Sequence, residues 1–480
     1  HHLLFADWEV KESGVAQLLP NAGVVIVDEA HQLNDTGLQF AGQRLSSQHL
    51  IGYARDVLRT GQAEARGMAD WLVLSASLEQ RLRELRLEAG QVPEGGRLAW
   101  QSITPQGLDA QRWRMALRAL ALAIKAILQP LVQLEASSMQ LRRLFERGSN
   151  LLQRLAGFAS AAPDGGVRWL EVGSRYLRML ESPLTIANDL RSKLIAENPL
   201  LTGSDGQLDQ SASPAQGAWI FTSATLGSDD QLSWFTQTCG LEHAKVLRVE
   251  SPFDYASQAA IYVPEKFAAA GQPEHSPQVA QLALQAAQRL GGRTLVLTTT
   301  LKALHAIGAT LQQAMGLFSE LEILVQGQAP KNALIERFVA AGKQANGSER
   351  KGCILVASAS FWEGVDLNGD VLQLVVIDKL PFPPPDSPLV LARSQQLEAV
   401  GGNAFEQFML PEAALALKQG AGRLIRSETD QGVLVVCDQR LLTKRYGAKL
   451  LAAIPPMRQL TGVNELQLAL EALAARTHQT

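Results

Sequence analysis

Two short stretches carry residue types and spacings suited to phosphoryl transfer. Near the start, Val24-Val25-Ile26-Val27 runs into Asp28-Glu29-Ala30-His31. A buried apolar strand that delivers an acid at its end is the geometry for holding Mg²⁺ through Asp28, with Glu29 polarising an attacking water. His31 would couple that site to the neighbouring lobe. Near the other end lies Gln419-Gly420-Ala421-Gly422-Arg423-Leu424-Ile425-Arg426. Opening or lying on a helix, this segment puts Arg423 and Arg426, at i and i+3, on one face, where two guanidinium groups can converge on a phosphoryl group. The bland readings are an acidic turn after a strand and a solvated basic helix face paired with Glu428. Gln419 and Gly422 argue against the second, because a surface helix gains nothing from glycine.

Other segments acquire meaning from their order. Thr222-Ser223-Ala224-Thr225 follows an apolar run, so Ser223 and Thr225 can hydrogen-bond the acidic loop and a facing domain; alone, it reads more readily as a plain Ser/Thr turn or N-cap. In Phe361 to Gly369, Gly364 permits close backbone approach. Asp366 can accept from a ribose or from opposing arginines, and Glu363 completes an acid-glycine-acid spacing that an aromatic-capped turn does not explain. Ser358 and Ser360 could donate to a phosphate backbone. Lys379-Leu380-Pro381-Phe382-Pro383-Pro384-Pro385 reads as a rigid loop after a buried strand. His1, His2, His243, His275 and His305 form no metal constellation, and no Ser-His-Asp arrangement can be assembled.

These residues need elements to position them. Short β-branched runs recur at Val24–Val27, Trp219–Thr222, Thr294–Leu297, Cys353–Val356, Leu374–Ile377 and Val433–Cys437, with helical patterns between many of them. Alternation of this kind predicts an α/β fold with doubly wound parallel sheets, whose ligands bind at the carboxyl ends of the strands. Residues about 40 to 180 differ, being rich in Leu, Ala, Arg and Gln. Leu117, Leu120, Ile124, Leu128, Leu131 and Leu134 keep the spacing of one helix face, and Pro130 should kink or divide that helix. An all-helical insertion in the first α/β domain is expected. Thr202 to Gln216 and Gly342 to Gly352 read as loops.

Composition sets the bounds. The 480 residues suggest two to four domains, and 46% hydrophobic content supplies ordinary cores. A net charge of −3 gives no global attraction to nucleic acid, so any groove for it must be locally basic. Cys239, Cys353 and Cys437 show no metal-ligand spacing and suggest a reducing, cytoplasmic setting. The apolar run Met115 to Leu128 is broken by Arg118 and Lys125, so no membrane span is expected. No targeting segment is visible.

Together these motifs resemble superfamily 2 helicases of the XPD/DinG group, and within it the bacterial YoaA branch. The matching stretches are His1 to Asp7, Val24 to Leu33 with its DEAH box, Phe221 to Gly227, Ser251 to Tyr255, Leu297 to Thr300, Ala359 to Gly369, Leu380 to Pro388 and Leu417 to Arg440. They run in family order across nearly the whole chain. The resemblance implies two RecA-like domains, the first from 1–40 and 180–244 and the second from 245–480, with 41–179 as a helical Arch insertion. It implies an ATP- and Mg²⁺-dependent helicase moving 5′ to 3′ on single-stranded and forked DNA in repair and replication. It also implies a monomer that pairs with the chi subunit of the replicative clamp loader. Asp28, Glu29, His31, Gln419, Arg423 and Arg426 would then be catalytic. Ser223, Thr225, Glu363, Gly364, Asp366 and Gly422 would couple the nucleotide, and Thr299, Thr300, Ser358 and Ser360 would contact DNA. The family's G-x-x-x-x-G-K-[ST] loop has no counterpart here, since Gly342-Lys343-Gln344 lacks its spacing and hydroxyl, and no cysteine matches the family's four 4Fe-4S ligands. The expectation is a chain without its N-terminal region and inactive alone; the alternative is a non-catalytic DNA-binding or scaffold fragment.

Overall fold

The computed structural model describes residues 1–12, 17–20, 22–90, 96–100, 102–134, 136–163, 165–197, 218–227, 229–315, 321–342, 352–358, 361 and 371–477. Its strands are β1 (Val24–Val27), β2 (Gln43–Ser46), β3 (Gly96–Ala99), β4 (Gly166–Val172), β5 (Leu177–Pro183), β6 (Ala218–Phe221) and β7 (Ala259–Tyr262). They continue as β8 (Thr294–Leu297), β9 (Leu321–Val325), β10 (Gly352–Ala357), β11 (Leu374–Ile377), β12 (Gly432–Val436) and β13 (Arg458–Leu460). The chain packs as two units. One comprises His1–Ala224, Phe235–Ala244 and Pro384–Gly402; the other comprises Thr225–Trp234, Lys245–Pro383 and Asn403–Thr480.

The second unit is built on a seven-stranded parallel sheet of order β13-β7-β12-β11-β8-β10-β9. Its inner strands are continuous apolar runs because both faces are covered. Leu295, Leu297, Leu355, Val375 and Ile377 enter one core, with Phe338 and Leu417 from helices on that side. The alternating Val296, Ile354, Val356, Leu374 and Val376 enter the other, with Ala283, Ile307 and Leu470. This is the doubly wound α/β arrangement that the alternating runs lead one to expect.

In the first unit, β1 and β6 form a two-stranded parallel sheet, with Val27 opposite Phe221. It leaves Val24 53% and Ile26 65% exposed. Phe5, Trp8, Phe40 and Trp219 pack ring to ring beside it. Between the two strands lies the insertion. Its helices Ser47–Glu64, Trp71–Glu88, Ala110–Leu134 and Met139–Ala159 share one core. Among the described residues, none of the insertion's strands pairs with a parallel sheet.

Three expectations need correction. The insertion is not all-helical: β2-β5-β4-β3 form a four-stranded antiparallel sheet. Leu170, Val172, Leu177 and Met179 from its strands complete the core that the helices start. Pro130 does not divide its helix, which runs unbroken from Ala110 to Leu134. Lying in the last turns, the proline forfeits one backbone bond, while Leu131 and Leu134 stay buried beyond it. That helix is long and apolar enough to cross a membrane, but its apolar face is spent on the insertion core, where all six of its leucine-and-isoleucine positions named above are buried. Finally, Pro384–Gly402, inside the 245–480 stretch, packs with the first unit, through contact of the Pro388–Ala399 helix with β4. The segments 202–216 and 343–351 lie outside the described residues.

Candidate active site

Parallel pairing of β1 with β6 sets the register of the acidic site. One step past the strands, the Thr222 N–H donates to the Val27 carbonyl at 2.9 Å and the Ala30 N–H to the Thr222 carbonyl at 2.9 Å. That step places Asp28 beside Thr222, whose hydroxyl donates to the Asp28 carboxylate at 2.8 Å. The Glu29 N–H donates to the same oxygen at 2.9 Å. The Thr222 hydroxyl, then the Glu29 amide, hold the Asp28 carboxyl below its ordinary range. An ionised carboxylate at a strand end suits a hard cation that keeps most of its own waters.

Glu29 turns the chain with φ 49°, ψ 42°. A left-handed glutamate costs about 1–3 kcal/mol and persists where surroundings over-determine it. Here they are the Ala30–Gln32 3₁₀ turn and Ser223, whose hydroxyl donates to Glu29 Oε2 at 3.1 Å. His31 Nδ1 lies 2.9 Å from Ser223 Oγ and 3.3 Å from Glu29 Oε2, and the ring is buried. Asp28, Glu29, His31 and Ser223 are therefore brought together as expected, with Thr222 added. Thr225, two residues on, is buried.

The arginine segment sits differently from its sequence reading. The Leu410–Ala421 helix ends just before Gly422, its C-cap, at φ −66°. Arg423 and Arg426 follow the helix in a turn, so the shared-face argument does not hold; both are half-buried. Gly422 needs no glycine-only backbone. What shapes the turn is Asp430, which accepts from the Arg426 N–H at 2.8 Å, the Ser427 N–H at 2.9 Å and the Ser427 hydroxyl at 2.6 Å. Buried Gln258 braces it by donating to the Ser427, Glu428 and Asp430 carbonyls. On the last helical turn, the Gln419 side-chain amide nitrogen is buried with no hydrogen-bond partner among the described residues. A buried donor of that kind fits an acceptor oxygen supplied by a ligand.

At the carboxyl ends of the second unit's strands, polar groups gather as doubly wound sheets require. Thr299 donates its N–H to Asp378 Oδ1 at 3.0 Å. Ser358 donates its N–H and hydroxyl to the Gln326 side-chain oxygen, at 2.7 and 3.0 Å. Thr300 accepts from the Ala303 N–H at 3.2 Å and so caps the following helix. These hydroxyls are engaged within the fold. Ser360, Glu363, Gly364 and Asp366 lie outside the described residues.

Two acids at these strand ends escaped the sequence reading. Asp438 follows β12 and is buried; burial alone would raise its pKa, but Arg440, bonding it through two nitrogens, and the Leu380 N–H hold it down. Asp378 follows β11, and burial pushes its carboxyl up to about 6, against the Thr299 and Lys379 N–H groups. The signal was available: Val375-Val376-Ile377-Asp378 and Val435-Val436-Cys437-Asp438 repeat the strand-then-acid pattern of Val25 to Asp28.

Asp378 yields an expected pH effect. Its folded pKa lies above that of the unfolded chain, so the fold holds the extra proton between about pH 4 and 6. Its burial therefore costs stability above that window and is relieved as pH falls through it. Asp28 and Asp438 act oppositely, contributing stability above their ordinary pKa and losing it on acidification. Asp378→Asn keeps the Oδ1 acceptor and removes the ionisation. It should melt above the parent at pH 7.5, with the advantage gone by about pH 4. An advantage that grows on acidification would contradict the buried carboxylate.

Fold and site define a pair of RecA-like α/β units, the first interrupted by a helical body with its own small sheet. Comparison with known proteins makes the class specific. The family described as the helicase C-terminal domain matches residues 283–457. The chain is 37% identical to the ATP-dependent DNA helicase YoaA of Escherichia coli over 457 residues, covering 95% of this chain and 66% of the relative. Identity to YoaA of Haemophilus influenzae is 33%, covering 97% and 67%. Identity to the ATP-dependent helicase DinG of Mycobacterium tuberculosis is 30%, covering 99% and 66%. The S. tokodaii Xpd4 structure superposes with a TM-score of 0.57 at 13% identity, over 96% of this chain and 81% of that one, which shows a shared fold. The chain belongs to the XPD/DinG group of superfamily 2 helicases, in its YoaA/DinG branch. It spans about two thirds of the length of the YoaA and DinG proteins it matches.

Proposed function

We propose that this chain works within an ATP-driven DNA helicase that moves 5′ to 3′ along single-stranded DNA, in repair and replication. The observation that carries the reading is Asp28, kept ionised by Thr222 and joined through Glu29 to Ser223 and His31. It links the acid loop to the segment leading out of the first unit, as a device that converts nucleotide state into movement requires. Mg²⁺, when bound, neutralises charge on the phosphates. Asp28 would hold it, Glu29 would orient the water, and Gln419 would donate to a phosphate oxygen. Arg423 and Arg426 would meet charge as it develops. Thr225, Gly422, Glu363, Gly364 and Asp366 belong to the coupling set. Thr299, Thr300, Ser358 and Ser360 belong to the DNA side in this reading, where rearrangement would have to release Thr299, Thr300 and Ser358 from their present partners. The clamp-loader chi subunit is the protein partner in this reading.

The test is DNA-stimulated ATP hydrolysis and unwinding by a chain that also carries a phosphate-binding loop, on duplexes with 5′ or 3′ single-stranded tails. Unwinding from 5′ tails supports the reading; preference for 3′ tails, or hydrolysis indifferent to DNA, refutes it. Thr222→Val removes the hydroxyl that orients Asp28. The requirement for Mg²⁺ should rise about 10–100-fold, the usual loss when a ligand's supporting hydrogen bond goes. An unchanged Mg²⁺ dependence would separate Asp28 from the metal.

A further inference from the structure

In the insertion, the helices Ala110–Leu134 and Met139–Ala159 pack side by side and leave an open groove of about 650 Å³ between them. Its floor is aliphatic, with Leu117, Ala121, Leu152 and Leu155. Its rim is cationic: Arg114, Arg118 and Lys125 stand exposed along the first helix, and no acid lines the groove. Ile103, at the wall, is 48% exposed. The two helices carry eight arginines and lysines against the single acid Glu146, in a chain whose net charge is −3. Among the described residues Arg118 and Lys125 make no ion pair. Leu117 and Leu155 at its base also belong to the insertion core, whereas Ala121 and Leu152 are only partly buried. Trp113, Leu120, Ile124 and Ile127 of the same helix are fully buried in that core and do not line the groove.

We propose that this groove is a docking site for a helix of a partner protein, one bearing leucine-like side chains on one face and carboxylates along its flank. An amphipathic helix laid in an apolar groove anchors through residues at i, i+3 or i+4, and i+7. Arg114 to Lys125 spans about 16 Å of helix rise, enough to meet carboxylates on two or three successive turns of the guest. Single-stranded nucleic acid would also be drawn to the cations. However, its bases take their binding energy from aromatic faces, and the groove is lined by none. The aliphatic floor favours aliphatic side chains, and the bare cations favour carboxylates that lie beside them.

The test is fluorescence anisotropy with the chain 1–480 and a panel of labelled helix-forming peptides that carry leucine on one face and glutamate on both flanks. At least one should saturate in the micromolar range. Arg118→Glu with Lys125→Glu should weaken it at least tenfold, as should replacing the peptide's glutamates by lysine. Ala156→Trp, which fills the groove without altering charge, should weaken it about equally. All three positions are exposed, so circular dichroism should match the parent. Three results would overturn the proposal: no peptide saturating below about 1 mM, affinity indifferent to these changes, or displacement by an oligothymidylate whose own binding falls with Ala156→Trp. The last would make the groove a nucleic-acid surface.

Discussion

Arg426→Ala, in a chain that also carries a phosphate-binding loop, is expected to abolish DNA-stimulated ATP turnover while leaving nucleotide affinity within about tenfold. Arginines that meet the charge developing on a transferring phosphoryl group are worth about 10³–10⁵ in rate. Ground-state binding rests mainly on the phosphate loop and the metal. Arg426 is positioned by its backbone: its N–H is tied to Asp430, and the turn is braced by Gln258. Alanine removes the guanidinium and keeps these backbone bonds. Lysine should rescue poorly, because a point charge cannot reproduce a planar fork. Asp430→Asn should give a milder version of the same defect, by loosening the turn. Single-turnover hydrolysis beside nucleotide titration separates the two effects. If Arg423→Ala and Arg426→Ala both hydrolyse at the parent rate, the turn is structural and the proposed role is wrong.

Arg168→Met should destabilise the insertion by about 3–5 kcal/mol, the range for breaking a buried ion pair from one side. Arg168 is buried, pairs with Glu181 on the neighbouring strand, and donates to the Ser160 and Gly157 carbonyls at 2.6 and 3.0 Å. It thus closes the carboxyl end of the Met139–Ala159 helix as well as the sheet, and its guanidinium lies over Trp100 and Phe158. Removing it strands a carboxylate and the Ser160 carbonyl, while the Gly157 carbonyl keeps the Ser160 N–H and hydroxyl. Arg168→Met with Glu181→Met should recover much of the loss, since a methionine pair leaves no charge behind. Urea unfolding followed by tryptophan fluorescence reports on it, because four of the eight tryptophans, Trp71, Trp100, Trp113 and Trp169, lie in the insertion. Equal midpoints for parent and single variant would show that the pair carries no stability.

What could be read in advance follows from burial. Thr294–Leu297 and Leu374–Ile377 are strands with the bounds expected of them, because both faces of the sheet are covered and the apolar run starts and stops with it. β7, Ala259-Ala260-Ile261-Tyr262, is equally buried but alanine-rich, so its composition is as compatible with a helix. β2, Gln43-Arg44-Leu45-Ser46, has only Leu45 to signal a strand. β4 and β5 alternate, but among arginine- and leucine-rich helices that alternation is easily absorbed into a helical reading. At the site, the acids were legible as strand ends. Their partners were not: Thr222 reaches Asp28 across 194 residues, and only the register of β1 on β6 decides that they meet. Likewise, Arg423 and Arg426 were read onto the wrong element, because the end of a helix at Gly422 depends on the turn that Asp430 and Gln258 build beyond it.

The strand order has a consequence for how the chain comes off the ribosome. β7 lies between β12 and β13, both of which are made last. At about 5–20 residues per second, Tyr262 waits roughly 10–30 s for Gly432 to emerge. Throughout that interval a fully apolar strand has neither neighbour. The insertion, whose strands and helices all fall between Gln43 and Pro183, has a core drawn only from these residues and can close early, the Pro388–Ala399 helix joining β4 afterwards. Synthesis therefore presents a finished helical body while the parallel sheet of the second unit is still open, and the demand for chaperones falls on its unpaired β7.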